Sequence, residues 1–221
     1  MKELAPGLWL LDGFPPYAIN AYMMGDVLVD AKGKMDKRSI LKQLRGRGVK
    51  AHALTHAHPD HQGASHAVCT EYGIPFWVPE ADVDAAETPT LIRDRQPDTR
   101  LNKLMYALFA GPGHKVDRAL REGDEVGGFT VLDTPGHSAG HVVFWRESDR
   151  VLVGGDVLNS MHPFTMVRGI REPLDVFTPD PARNRESIKR IAALEPSLAV
   201  FGHGPPVRDP RKLTEFAATL P

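Results

Sequence analysis

The chain has 221 residues, 42% of them hydrophobic and 25% charged, which is enough to bury a substantial core and is ordinary for a soluble globular protein. A formal net charge of −1 argues against nucleic acid or an anionic membrane surface as a partner, and no run of about 18 apolar residues is present to cross a bilayer. No uninterrupted apolar run long enough for a signal's hydrophobic region precedes Asp12 and Gly13, so no secretory signal is expected, and the lone Cys69 excludes an intrachain disulfide and suits a reducing cytoplasm.

In chain order, Leu8 to Leu11, Ala21 to Met24 and Val27 to Val29 read as short strands divided by Gly, Pro, Asn and Asp. Asp36 is placed to cap a helix to about Arg45, ended by Gly46 and Gly48. Val49 to Leu54 then reads as a buried strand, and residues 63–72 as a helix, with Cys69 on it as a small buried hydrophobe. Between them lies Thr55-His56-Ala57-His58-Pro59-Asp60-His61. Three imidazoles and a carboxylate in six residues cannot share one face of a helix or strand, so a loop must gather them. Imidazole and carboxylate are suited donors for a divalent transition metal.

Phe76 to Val78 reads as a further strand. Residues 88–118 fit less well: prolines, arginines and one apolar patch (Leu101, Leu104, Met105, Leu108, Phe109) predict a solvated excursion with one amphipathic helix, serving as a lid or a dimer contact. Strands are expected at Phe129 to Leu132, Val142 to Trp145 and Val151 to Val153, then a helix from Pro181 to Leu194, a strand at Leu198 to Phe201 and a helix near Lys212 to Ala218. One domain spanning 1–221, two sheets face to face with helices outside, is the simplest reading. Three further loops offer metal-binding groups after apolar strands: Asp133 to His141, Gly154-Gly155-Asp156 and Gly202-His203-Gly204.

On these four ordered motifs the chain resembles the metallo-β-lactamase-fold hydrolase superfamily, on its glyoxalase-II-like, lactonase-like side. The resemblance implies an α/β (α+β) four-layer αββα sandwich and two divalent metal ions, zinc favoured by the imidazole-rich set, with manganese or iron also compatible. It implies that His56, His58 and His137 hold one metal, that Asp60, His61 and His203 hold the other, and that Asp156 bridges both. His141 and Asp30 are expected to support the ligands by hydrogen bonds. His52, His66 and His114 are expected to be ordinary surface or partly buried histidines.

The implied chemistry is hydrolysis of a carboxylic ester, lactone or thioester by a metal-bridging hydroxide, with Asp60 as the catalytic residue that orients it. Phe14 and Tyr17 of the loop Gly13 to Tyr17, and Asn159, His162 and Arg168 after Asp156, are the candidate substrate contacts, with Arg168 suited to a carboxylate. About eighteen residues follow His203, whereas dedicated glyoxalase II enzymes add a C-terminal helical domain, so glutathione specificity is not expected. Asp156 and the lack of a signal argue against a true β-lactamase. The nuclease branches add a domain or an RNA-gripping arm, and no basic-aromatic tract is present here. The partner is thus a small-molecule substrate. The rival within the fold is a mononuclear iron persulfide dioxygenase, using two His and an Asp.

Overall fold

The computed structural model describes residues 1–221, the side chains of Arg93 and Asp94 excepted. Its strands are β1 (Lys2–Ala5), β2 (Leu8–Leu10), β3 (Tyr22–Met24), β4 (Val27–Val29), β5 (Ala51–Ala53), β6 (Phe76–Pro79), β7 (Arg118–Leu120), β8 (Glu125–Val126), β9 (Phe129–Asp133), β10 (Val142–Arg146), β11 (Val151–Val153), β12 (Asn159–Met161), β13 (Arg168–Arg171) and β14 (Leu198–Val200). The helices are α1 (Lys37–Leu44), α2 (Pro59–Gln62), α3 (Ser65–Tyr72), α4 (Val83–Glu87), α5 (Thr90–Arg95), α6 (Arg100–Phe109), α7 (Pro181–Ala193) and α8 (Arg211–Ala218). No helix is long and apolar enough to cross a membrane among the described residues.

Strands β1 to β7 form one sheet in sequence order, antiparallel up to β4 and parallel from β4 onward. A second sheet has the order β14-β11-β10-β9-β8, and β12 with β13 makes a separate hairpin. Side chains alternate across a strand, so each sheet has two faces to cover. In β4, Val27 and Val29 join a core between the sheets with Val131, Phe144 and Val153, while Leu28 faces Ile40, Leu44 and Val68 of the helices outside. In β10, Val142 and Phe144 turn inward, and Val143 and Trp145 pack on Ile188 and Ile191 of α7. Three apolar layers therefore separate helices, sheet, sheet and helices, the four-layer αββα arrangement.

Several sequence expectations change in detail. Strands β1 and β7 and the β12/β13 hairpin are short and mixed in polarity, which hid them from a periodicity reading. Residues 63–72 give only α3, and the histidine loop contains the single turn α2, begun by Pro59 at its first position. Asp36 makes no side-chain cap for α1, because the helix is entered through a 3-10 turn at Lys34–Asp36. His52 is fully buried rather than at the surface, bonded to Leu28 O and Ser65 Oγ, and burial lowers its pKa to about 4. His66 and His114 are half-buried and meet each other at Nδ1.

The 88–118 segment is not a simple solvated excursion. It carries α5 and α6, and the carbonyl of Ala107 takes a bond from Lys34 Nζ, while Asn102 Nδ2 donates to Val176 O. At the end of α6 the backbone of Gly111 lies against Gly63, so closely that a Cβ on Gly111 would stand 1.9 Å from the Gly63 carbonyl oxygen. Only glycine fits that contact. Gly111→Ala is accordingly expected to destabilise the protein by about 1–3 kcal/mol, read from the midpoint of urea unfolding; an unchanged midpoint would show that α6 is free to move away.

Candidate metal centre

Four loops reach one point because the strands that feed them end at matched heights. Val29 of β4 is level with Ala53 of β5, and Val153 of β11 with Val200 of β14. The chain crossings beyond those residues remain hydrogen-bonded: Asp30 N to Ala53 O at 2.9 Å, Gly154 N to Val200 O at 2.7 Å and Gly202 N to Gly155 O at 2.8 Å. Val142 N to Thr55 O, together with Asn20 Nδ2 and Tyr22 Oη on Phe201 O, ties the two sheets across the site. Gly202 is required at its position, since a Cβ there would lie 2.0 Å from Asp156 Oδ1.

The loops bring together all seven predicted ligands. His56, His58 and His137 form one group, His56, His61 and Asp156 a second, and Asp60, His61 and His203 a third, with the donor atoms of each group within 4.8 Å of one another. Asp156 lies between the outer groups: its Oδ1 is 3.4 Å from His61 Nε2, and its Oδ2 is 3.7 Å from His137 Nε2 and 3.1 Å from His203 Nε2. Asp60 Oδ2 is 3.3 Å from His203 Nε2.

Hydrogen bonds on the far side of each ring fix which nitrogen faces inward. Thr55 Oγ1 donates to Asp30 Oδ2, so it accepts from His56 Nδ1 at 3.0 Å; Thr178 Oγ1 donates to Leu174 O, so it accepts from His137 Nδ1 at 3.1 Å. His61 Nδ1 donates to Asp30 Oδ2 at 2.9 Å and His203 Nδ1 to Ala18 O. The Nε2 atoms of His56, His61 and His137, with Asp156 Oδ1, are buried without a hydrogen-bond partner. Orphaned buried polar atoms are rare and call for an explanation, and a divalent cation at this donor set supplies one. His58 differs: its Nε2 meets the Gln96 side-chain amide at 3.1 Å, so Nδ1 is the nitrogen left for a cation when Nε2 carries the ring proton.

His141 is engaged on both sides. Its Nδ1 meets Thr134 Oγ1 and its Nε2 accepts the Asp156 backbone N–H at 2.9 Å, and burial takes its pKa down to about 3. It orients Asp156. Asp30 holds Thr55, through N and Oγ1, as well as His61.

Electrostatics divides the cluster in two. Burial, reinforced by neighbouring imidazoles, holds His56 and His137 well below the usual imidazole pKa. Burial also acts against charge on His203 and His61, but there carboxylates win: Asp156 and Asp60 raise His203 to about 10, and Asp156 with Asp30 raises His61. Burial likewise opposes ionisation of Asp60, and His203 and His61 overcome it, taking the carboxyl down to about 2. In the cation-free chain, protons on two imidazoles therefore balance Asp60 and Asp156.

Several positions that matter here carry no local sequence signal. The buried carboxylate of Asp82 accepts from Ala57 N, Ser138 Oγ and Gly140 N, so it joins the loop of His56 and His58 to that of His137. Gln96 and Thr178 carry no such signal either, whereas Thr55 directly precedes His56 in the chain.

The centre opens into a cavity of about 380 Å³ whose lining includes His58, Asp60, His137, Asp156, Asn159, His203 and Phe14. Tyr17, His162 and Arg168 are not among its lining residues. Tyr17 packs on the core between the sheets, the His162 ring accepts from Phe164 N and Thr165 N in its own hairpin, and Arg168 is exposed on β13. Met105, Leu108 and Phe109 of α6 form part of the wall, so the 88–118 segment contributes to the cavity.

The family described as the metallo-beta-lactamase superfamily matches residues 15–203. A probable metallo-hydrolase of Bacillus subtilis is 30% identical, covering 88% of this chain and 82% of its own. A hydroxyacylglutathione hydrolase of Bdellovibrio bacteriovorus is 24% identical, over 67% of this chain and 46% of its own length. Among solved structures, the B3 metallo-beta-lactamase BLEG-1 superposes with a TM-score of 0.70 at 26% identity, covering 94% of this chain and 96% of that one. The fold, the four loops and these matches together make the chain a member of the metallo-β-lactamase superfamily, with similarity at low identity to glyoxalase II enzymes.

Proposed function

We propose that the protein is a binuclear metal-dependent hydrolase that cleaves a small carboxylic ester, lactone or thioester. What carries this reading is the inward-facing set of unpartnered donors around Asp156, at the base of a cavity with a largely apolar wall. His56, His58 and His137 would hold one cation and Asp60, His61 and His203 the other, with Asp156 in reach of both groups. When bound, divalent ions would supply Lewis acidity and lower the pKa of a coordinated water toward about 7. Zinc suits the imidazole-rich set, while the carboxylates also admit manganese or iron.

The chain's own residues do the rest. Asp60 lines the cavity and is ionised, so its carboxylate can accept a hydrogen bond from the attacking water and orient it. Its pKa of about 2 in the cation-free chain suits orientation better than proton storage. Asn159 is buried at the cavity with its side-chain Oδ1 unpartnered, so that oxygen can accept a hydrogen bond from a donor on the substrate. Cys69 takes no part: burial pushes its thiol up to about 12, which fits the reading of a small core hydrophobe.

The mononuclear iron dioxygenase alternative would draw on two imidazoles and one carboxylate, for which His58 or His56, His137 and Asp156 suffice. It leaves Asp60, His61, His203 and one of His56 and His58 without a role, which is why hydrolysis is preferred. Stripping the purified protein with a strong chelator should abolish hydrolysis of aryl esters, lactones or thioesters, and adding back zinc, manganese or iron should restore it with two metals per chain. Full turnover by metal-free protein would refute the mechanism, and one iron per chain with oxygen uptake on a persulfide would favour the alternative.

The two groups of ligands should also separate on acidification. Cations must displace protons from His61 and His203, whose pKa values are raised, so affinity at that group falls as pH falls below about 10. His56 and His137 have lowered values and face no such competition near neutrality. Metal content measured after dialysis from about pH 8 toward about pH 5 should therefore step from two to one per chain before the last is lost. Loss of both together would contradict the division.

A further inference from the structure

The hydrolase reading uses the base of the cavity and leaves one feature of its wall without a role. Lys32 is only 2% exposed, yet it lines the cavity and is the one Lys or Arg to do so among the described residues. Its Nζ donates to a single acceptor, the carbonyl of Asp12 at 3.0 Å, and no carboxylate of a described residue pairs with it. An ammonium carries three N–H donors, so two remain to be satisfied. The surrounding wall is apolar, with Phe14, Ile19, Met105, Leu108, Phe109 and Phe177 prominent in it. Gly13 leaves the space that Nζ occupies, since a Cβ there would lie 2.6 Å away.

A buried charge without a partner is expensive, and proteins keep one chiefly where a ligand completes it. Burial lowers the pKa of Lys32, and Asp36 and Asp12 offset this only in part. Asp36 also lines the cavity, but it is half-exposed and its charge is screened by solvent. One ammonium balances one negative charge. A carboxylate matches that, whereas a phosphate monoester near −2 would bring a surplus charge into an apolar wall.

Building on the hydrolase reading above, we propose that Lys32 receives a carboxylate of the substrate, so that the enzyme prefers an apolar ester, lactone or thioester bearing an acid group over its neutral analogue. Lys32 thus takes the part that the sequence suggested for Arg168, which lies outside the cavity.

The test compares two esters, mono-4-nitrophenyl glutarate and 4-nitrophenyl butyrate, on wild type, Lys32→Met and Lys32→Gln, each loaded with metal. Lys32→Gln keeps an N–H for the Asp12 carbonyl and removes the charge, so it separates recognition from support of the loop. Both variants should lose about ten- to a hundredfold in kcat/KM on the glutarate ester, chiefly through KM, with the butyrate ester changed less than about twofold. Equal losses on both esters, or no loss, would overturn the proposal. If wild type hydrolyses neither ester, the hydrolase reading is what suffers, and calorimetric binding of 4-phenylbutyrate against 4-phenylbutyramide decides the role of Lys32. Tighter binding of the acid in wild type that vanishes in Lys32→Gln supports it, and no difference between wild type and variant refutes it.

Discussion

The whole site depends on keeping one ionised carboxylate, Asp156, buried among imidazoles. Taking such a charge out of water costs several kcal/mol unless opposite charge and hydrogen bonds meet it. Asp156 meets His61, His137 and His203 through its two oxygens, and its backbone N–H is held by His141. Without cations, protons on His61 and His203 supply the balancing charge. Cations supply it when bound, and the same arrangement is then compatible with either state.

That balance requires groups distant in sequence to hold position to within a few tenths of an ångström, which loops alone do not do. The two sheets provide it. Parallel neighbours β4 with β5 and β11 with β14 end in register, and the loops beyond them continue the sheet hydrogen bonds for another residue or two. Buried side chains then lock loop to loop. Asp30 joins Thr55 to His61, Asp82 joins Ala57 to Ser138 and Gly140, and Asn20 joins Phe201 to Gly204. Each of these acceptors or donors is satisfied by more than one partner, which favours a single arrangement over several.

Legibility from the sequence followed how locally each feature is encoded. The strands β2 to β6, β9 to β11 and β14 announce themselves by runs of apolar residues between breakers, and the His-x-His-x-Asp-His loop by density of donors. Asp156 and His203 were readable because each follows a strongly apolar strand and a glycine. Asp82, Gln96 and Lys32 were not, because their roles come from contacts across 25 to 58 positions or from the shape of a cavity. Tyr17, His162 and Arg168 misled for the same reason: proximity in sequence to a ligand loop does not say which way a side chain turns. The short strands β1 and β7 and the hairpin β12/β13 lie at edges, where tertiary pairing rather than periodicity decides their conformation.

The division between what was readable and what was not has a physical root in how this site is built. Bond-making chemistry here needs a dense set of donors, and density leaves a mark in a linear chain. The proposed selectivity would instead come from a wall assembled from the Phe14 loop, Lys32, α6 and the β12/β13 region, each contributing a few side chains. Such a wall also serves the chemistry, because an apolar surround lowers the local dielectric and strengthens every interaction with the charges beneath it. The close backbone contact of Gly111 on Gly63 matters for that reason. It fixes α6 against the histidine loop, so the element that walls the cavity and the element that carries the candidate metal ligands cannot shift independently.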